Sequence, residues 1–129
     1  MERALLIALG GAVGTLLRYL TATLAVQWLG LAFPYGTLAV NLTGSFLIGA
    51  LNEIARDGAV LPDDLRWFLT TGVLGGFTTY SAFSYETVRL MEARLWAGAG
   101  INVLVTTAGC LTLCFLGIAT GRLVLGLRG

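Results

Sequence analysis

The chain has 129 residues, 57% of them hydrophobic and 12% charged, and its mean hydropathy is +0.84. This composition excludes an ordinary soluble domain and predicts that residues 1–129 form one integral membrane domain. The net charge is only +1 and no basic run occurs, which argues against binding to nucleic acid. With no histidine in the sequence, Cys110 and Cys114 are expected to be small packing residues rather than metal ligands.

Charged residues are missing from three long windows of the sequence, from Tyr19 to Asn52, from Trp67 to Tyr85 and from Leu95 to Gly121. A helix needs about 20 apolar residues to cross the hydrocarbon core. The first window, extended back to Ala4, therefore predicts two spans, and the others predict one each. The predicted fold is an all-α membrane protein with four transmembrane helices, at residues 4–27, 35–53, 66–90 and 95–124, and with turns from Leu29 to Tyr35 and from Arg56 to Asp64.

The first span carries a charge inside its apolar stretch. A cleaved signal peptide is the alternative for this segment, but the apolar stretch is long and its basic start is the single Arg3, so a retained helix is predicted. The internal charge is Arg18. Its guanidinium either snorkels to an interface or gives a vestibule a positive potential that attracts anions.

The second span contains several polar residues, and Asn41 is the most polar group near its middle. An amide in hydrocarbon needs hydrogen-bond partners. Asn41 therefore either bonds a neighbouring helix or lines an aqueous path, and composition does not separate the two alternatives.

The third span contains residues that disfavour a continuous helix. Gly75 and Gly76 cost roughly 1 kcal/mol each relative to alanine in a helix interior, and Thr78 and Thr79 add β-branching. The helix is therefore predicted to break near its middle, which a membrane tolerates only where protein or water covers the freed polar groups. Freed carbonyls can hold a hard cation, and hydroxyls can donate hydrogen bonds to an anion from Thr78, Thr79, Ser81 and Ser84. A glycine-permitted kink, with the threonines bonded back to the helix, is the alternative.

Polar residues also occur towards the end of the third span and in the fourth. Glu86 lies near the end of the third span, where a solvated position and a functional one are equally expected. Asn102 and Thr106 share a face of the fourth span because they are four residues apart. The hydroxyls of this span are expected to be satisfied within the helix.

Small residues at four-residue spacing predict tight helix contacts. Four helices packed this closely leave little room for a pore or a substrate cavity, so function is predicted to need an oligomer. The spacing occurs at Gly10 and Gly14, Ser45 and Gly49, Gly72 and Gly76, and Gly117 and Gly121. Loop charge favours cytoplasmic termini, because Arg89 and Arg94 on one side are outnumbered on the terminal side by Arg3, Arg56, Arg66, Arg122 and Arg128.

Three segments resemble the signatures of the CrcB/Fluc fluoride channels. They are GGAVGTLLRY (10–19), PYGTLAVNLTGSFLIG (34–49) and GGFTTYSAFSYET (75–87), in the order and spacing of that family. The resemblance implies a passive channel that exports fluoride across the cytoplasmic (inner) membrane and protects a microbial cell. It also implies an antiparallel dimer with two pores in membrane lipid, formed either by two copies of this chain or with a sister chain.

The resemblance further implies roles for individual residues. A structural Na⁺ at the dimer axis would be held by backbone carbonyls of Gly75 and Thr78. The pore aromatics would be Tyr80 and Phe83, and the pore amide Asn41. Other positions that match the family's site are Arg18, Thr37, Ser81, Ser84, Glu86 and Thr106. This chain departs from the family in having tyrosine at position 80, where phenylalanine is usual, and alanine at position 82, where threonine is common.

Two other functions fit the same length and number of spans. A small proton-coupled multidrug exporter needs a carboxylate in its first span, but between Arg3 and Arg56 the acid in this chain is Glu53, at the end of the second span. A non-transporting accessory subunit would not need hydroxyls beside a broken helix. No pairing of a nucleophile with a base is recognisable, so an enzyme is not predicted.

Overall fold

The computed structural model describes residues 1–128, and over this range it contains helices joined by short turns, with no strand. The side chain of Arg128, one of the arginines counted on the terminal side, lies outside the described part. The elements are α1 (Glu2–Leu29), α2 (Tyr35–Ile54), α3 (Asp63–Trp67), a π-helix (Phe68–Leu74), α4 (Gly75–Phe77), α5 (Tyr80–Glu92) and α6 (Trp96–Arg128).

The predicted order of four helical spans is confirmed. The first, second and fourth correspond to α1, α2 and α6, and the third is divided among α3, the π-helix, α4 and α5. The segments Glu2–Leu29 and Trp96–Leu127 are each long and apolar enough, by length and composition, to cross a membrane. Their most apolar windows are only 11% buried, so large aliphatic side chains cover the outside of the bundle. Such a surface suits hydrocarbon, and the chain is a membrane protein.

Helix α2 lies at the centre of the subunit, and small residues let neighbouring helices of the subunit approach one another closely. A Cβ atom added at Gly10 of α1 would lie 2.6 Å from the Phe68 carbonyl oxygen, and one added at Gly117 of α6 would overlap the Phe46 carbonyl of α2. The predicted tight helix contacts are confirmed at these glycines, and they form inside one chain. Helices α1 and α6 pack against different partners, α1 mainly against the π-helix and α6 mainly against α2.

The third span is broken between α4 and α5, at the predicted place. Thr78 (φ −86°, ψ 157°) and Thr79 (φ −155°, ψ 115°) are both extended. Thr78 also donates its hydroxyl back to the Leu74 carbonyl at 3.0 Å, which the kink alternative anticipated, but two extended residues make a full break. Gly75 itself is helical (φ −62°, ψ −38°) and lies before the break. The π-helix was not predicted.

Candidate functional site

Asn41 of α2 holds the break open. Its Oδ1 accepts a hydrogen bond from the Thr79 N–H at 2.9 Å, and its Nδ2 donates to the Thr79 carbonyl at 3.0 Å. Only 8% of Asn41 is exposed. The amide thus pairs with both backbone groups of one extended residue, as a neighbouring strand would. Asn41 therefore bonds a neighbouring transmembrane segment, which was the first of its two predicted alternatives. It also lines a cavity, as described below.

The break releases two backbone carbonyls from their helical donors. In a continuous α-helix the Thr79 N–H would bond the Gly75 carbonyl, and the Ala82 N–H would bond the Thr78 carbonyl. Here Thr79 N–H bonds Asn41, while Ala82 N–H donates to the Thr79 hydroxyl at 3.2 Å and caps α5. Neither carbonyl accepts a hydrogen bond from any residue in the described part of the chain.

The two free carbonyls are those predicted to hold a cation, and their chemistry fits one. Carbonyl oxygens suit hard cations, and two of them come from within four residues of chain. Both residues line a cavity of about 210 Å³ at the surface of the subunit, together with residues of α2 and the π-helix. A Cβ atom added at Gly75 would meet only the Thr70 carbonyl oxygen, at 3.9 Å. The subunit therefore leaves this side of the break accessible.

A second cavity, of about 360 Å³, brings together five of the residues predicted for the anion site. Asn41, Thr79, Tyr80, Phe83 and Thr106 all lie in its wall. The rings of Tyr80 and Phe83 are 5.5 Å apart between centroids and inclined at 59°. Their edges carry partial positive charge, which suits an anion.

The same wall contains residues that the sequence did not assign to a site. Ser45 and Cys110 each follow an assigned wall residue by four positions, so helical spacing from Asn41 and Thr106 would have indicated them. The unassigned residues of the wall are Ser45, Thr107, Cys110 and Leu111; Thr78, whose carbonyl was predicted for the cation site, also lies in the wall. Cys110 thus lines a cavity, and it is half-buried as a free thiol.

Five of the residues predicted for the anion site lie outside this wall, Arg18 among them. Ser84 donates its hydroxyl to the Tyr80 carbonyl at 3.1 Å, and the Ser81 and Thr79 hydroxyl oxygens are 3.2 Å apart. At the other end of α5, the Thr37 hydroxyl donates to Glu86 Oε1 at 2.8 Å. These last two residues line a third cavity, of about 420 Å³, beneath the α1–α2 turn.

Arg18 makes a contact that neither of its predicted alternatives described. Its Nε donates to the Gly76 carbonyl at 3.0 Å, at the carboxyl end of the helical turn before the break. A cation is favourable there because helix C-termini carry partial negative charge. Arg18 lines none of the three cavities described above. Its observed contact is therefore with the backbone of the broken span.

Comparison with known proteins places the chain in a family. The model of the family described as "CrcB-like protein, Camphor Resistance (CrcB)" matches residues 5–118. The chain belongs to the CrcB family. The match extends from α1 well into α6, so the resemblance inferred from three segments is confirmed and now includes most of the fourth helix.

Curated relatives in the CrcB family match almost the whole chain. A protein of Sorangium cellulosum (strain So ce56), named fluoride-specific ion channel FluC, is 52% identical over 122 residues, covering 95% of this chain and 96% of its own length. A protein with the same name from Geobacter sp. (strain M21) is 49% identical, covering 95% and 98%. One from Magnetococcus marinus is 42% identical over 118 residues, covering 92% and 96%.

Proposed function

We propose that this protein is a fluoride-selective channel that lets F⁻ leave the cell passively across the cytoplasmic membrane. The observation that carries the proposal is the 360 Å³ cavity, in which the Asn41 amide lies beside the ring pair of Tyr80 and Phe83. The names of its CrcB relatives, fluoride-specific ion channels at 42–52% identity, support the choice of ion.

The cavity offers a small anion donors that are held in place. The Asn41 amide has two N–H groups, of which one is used by the Thr79 carbonyl and the other is left for an ion. Because the amide is fixed by two bonds to the backbone, it loses little entropy when it receives a ligand. Ring edges add favourable electrostatics without offering an acceptor. Fluoride gains more than chloride from close, rigid donors because its charge is more concentrated.

A second subunit is part of the proposal. Tyr80 is 79% exposed in the single chain, and Ser81 and Tyr85 are also exposed on α5. Lipid cannot satisfy hydroxyl groups at membrane depth. An oppositely oriented copy, or a sister chain, would cover this face and complete two pores. The small arginine bias between the two sides of the bundle is compatible with insertion in both orientations.

The proposal includes a structural Na⁺ bound at the axis of this dimer. The carbonyls of Gly75 and Thr78 would hold it, since they lack donors and line the accessible 210 Å³ cavity. When bound, the ion would supply positive charge to oxygen atoms that are otherwise desolvated. The contribution of this chain is to keep the break extended through Asn41 and to keep the Gly75 side free of a side chain.

The other two candidate functions are not retained. Relatives that match 92–95% of the chain are named channels, and the carboxylate that a proton-coupled exporter would need is missing from the sequence between Arg3 and Glu53. An accessory subunit would not require an amide clamp on a broken helix. No catalytic residue is proposed.

Fluoride efflux from liposomes tests the proposal. Purified protein is reconstituted with an internal fluoride load, a K⁺ gradient and valinomycin set the voltage, and a fluoride electrode records release beside a matched chloride experiment. Fast, voltage-driven F⁻ release without Cl⁻ release is expected. Absence of F⁻ release from a verified dimer, both alone and after co-expression with a sister chain, would refute the function.

A further inference from the structure

Helix α5 carries both aromatic rings of the 360 Å³ cavity, yet the chain on either side of it is not helical. Thr78 and Thr79 are extended before it, and the turn after it contains Arg94 at φ 59°. Because no continuous helix leads into or out of α5, the rotation of α5 about its axis depends also on its lateral contacts. Asn41 supplies one such contact at the amino end of α5.

A second lateral contact is a buried chain of three hydrogen bonds between α5 and α6. Thr106 Oγ1 donates to Asn102 Oδ1 at 3.3 Å, and Asn102 Nδ2 donates to Thr87 Oγ1 at 2.9 Å. Thr87 Oγ1 then donates to the Phe83 carbonyl at 2.7 Å. Asn102 is 1% exposed and Thr87 is 5% exposed. Water is thus excluded from the link between the two helices.

The direction of this chain is fixed by its last acceptor. A carbonyl oxygen can only accept, so the Thr87 hydroxyl must give its proton to Phe83. Thr87 must then accept from Asn102, which turns its NH₂ group towards α5 and its carbonyl oxygen towards Thr106. The Thr106 hydroxyl, in the cavity wall, therefore has its proton committed to Asn102. Every member of the chain has one defined orientation.

We propose that Asn102 and Thr87 are positioning residues for ion conduction, which hold the Phe83 ring at its place in the cavity wall. The inference rests on the proposed channel function. Asn41 fixes α5 at Thr79 and Asn102 fixes it one helical turn beyond Phe83, so the ring-bearing segment is held on both sides. Neither Asn102 nor Thr87 lines the cavity itself, so both act through Phe83 and Thr106.

The first variant is Thr87→Val, which keeps the shape of the side chain and removes the hydroxyl. It removes the hydrogen bond to the Phe83 carbonyl and leaves an Asn102 N–H buried without an acceptor. In general, such a loss changes the equilibrium constant for holding the buried groups in place by about a factor of ten or more. The unitary fluoride current in planar bilayers is expected to fall about tenfold. Thr87→Ser, which keeps the hydroxyl, is expected to restore it. Thr120→Val is the matched control, since Thr120 makes the same bond to a carbonyl four residues back, at 2.8 Å, on an exposed face.

The unitary current separates positioning from stability. A residue that only stabilised the fold would lower the fraction of vesicles that empty, while each surviving channel kept the wild-type current. A wild-type current in Thr87→Val channels would overturn the inference, and it would leave the proposed function intact. A wild-type protein that passes no fluoride would instead refute the proposed function and, with it, the inference.

A double variant covers the case in which Thr87→Val does not fold. In Asn102→Leu/Thr87→Val both polar partners are replaced by apolar side chains, so no buried donor is left unpaired. The Thr106 hydroxyl can turn to the backbone carbonyl four residues back. A reduced unitary current in this variant supports the positioning role of Asn102 and Thr87, because the helix contact is kept while its hydrogen bonds are gone. A current equal to that of the wild type overturns it.

Discussion

Gly75 and Gly76 are adjacent, yet alanine at the two positions is expected to have opposite effects. At Gly76 a Cβ atom would lie 2.5 Å from the Gly11 carbonyl oxygen and 3.0 Å from both the backbone nitrogen and the hydroxyl of Thr15. Backbone atoms of α1 cannot yield without moving the helix, and overpacking of this kind costs about 1–3 kcal/mol. At Gly75 the nearest atom would be the Thr70 carbonyl oxygen at 3.9 Å, so the subunit has room.

The Gly75 position gains from alanine within its own subunit. Its backbone is helical, and alanine is favoured over glycine in a helix by roughly 1 kcal/mol. Gly76 lies in the same helical turn, so it has the same helix preference, and the overpacking alone should make the free energies of unfolding of Gly75→Ala and Gly76→Ala differ by about 1–3 kcal/mol. If the proposed partner subunit packs at the 210 Å³ cavity, Gly75→Val should also lower the dimer fraction, because its larger side chain points out of the subunit.

Two measurements separate these effects. Unfolding of each variant in detergent, followed by circular dichroism at protein dilutions where the dimer has dissociated, reports the stability of the single subunit. Crosslinking at higher concentration reports the dimer fraction. Equal subunit stability for Gly75→Ala and Gly76→Ala would refute the packing argument. A normal dimer for Gly75→Val would remove this side of the break from the proposed interface.

Three further changes test separate parts of the molecule. Asn41→Asp should reduce fluoride efflux by about 10- to 100-fold, because a carboxylate repels the anion and cannot donate to the Thr79 carbonyl; unchanged efflux would remove Asn41 from the pathway. Tyr80→Phe should leave the free energy of unfolding of the single subunit, in which the side chain is 79% exposed, within about 0.5 kcal/mol of the wild type. Its transport rate should change, and an identical rate would leave only the ring as a candidate. Arg94→Gly should raise the melting temperature, because it relieves about 1 kcal/mol of backbone strain at φ 59°. Ala93→Gly is the control, since Ala93 has φ −77° and no such strain, and equal shifts in the two variants would contradict this account.

The positions of the helices could be predicted because charge is costly in hydrocarbon. The charge-free windows predicted the first span at residues 4–27, and the structure has it at Glu2–Leu29. The second span was predicted at 35–53 and is observed at Tyr35–Ile54. The break was indicated by glycine and threonine propensity. The group that holds it open could not be derived from propensity, because Asn41 is 38 residues from Thr79 and their pairing depends on how α2 packs against the third span.

Side-chain hydrogen bonds were the least predictable part of the site. Thr106 was expected to be satisfied within its helix, and it is, but through the Asn102 side chain rather than the backbone. Arg18 was expected at an interface or a vestibule, and the hydrogen bond from its Nε to the Gly76 carbonyl was not part of either alternative. In both cases several acceptors lie within reach of a flexible side chain, and only the packed structure selects one of them.

The polar groups released by the break differ in kind on its two sides. Before it, the helical turn ends in carbonyls, of which Arg18 takes that of Gly76 while those of Gly75 and Thr78 have no donor in the described chain. After it, α5 begins with N–H groups that have no acceptor within their own helix, as at any helix start. Acceptors without donors favour a cation, whereas the positive end of a helix, the Asn41 amide and the ring edges favour an anion. In the proposed channel, one interruption of the third span would thus supply a cation site at the 210 Å³ cavity and an anion site at the 360 Å³ cavity, and both would depend on Asn41, which bonds Thr79 in its extended conformation.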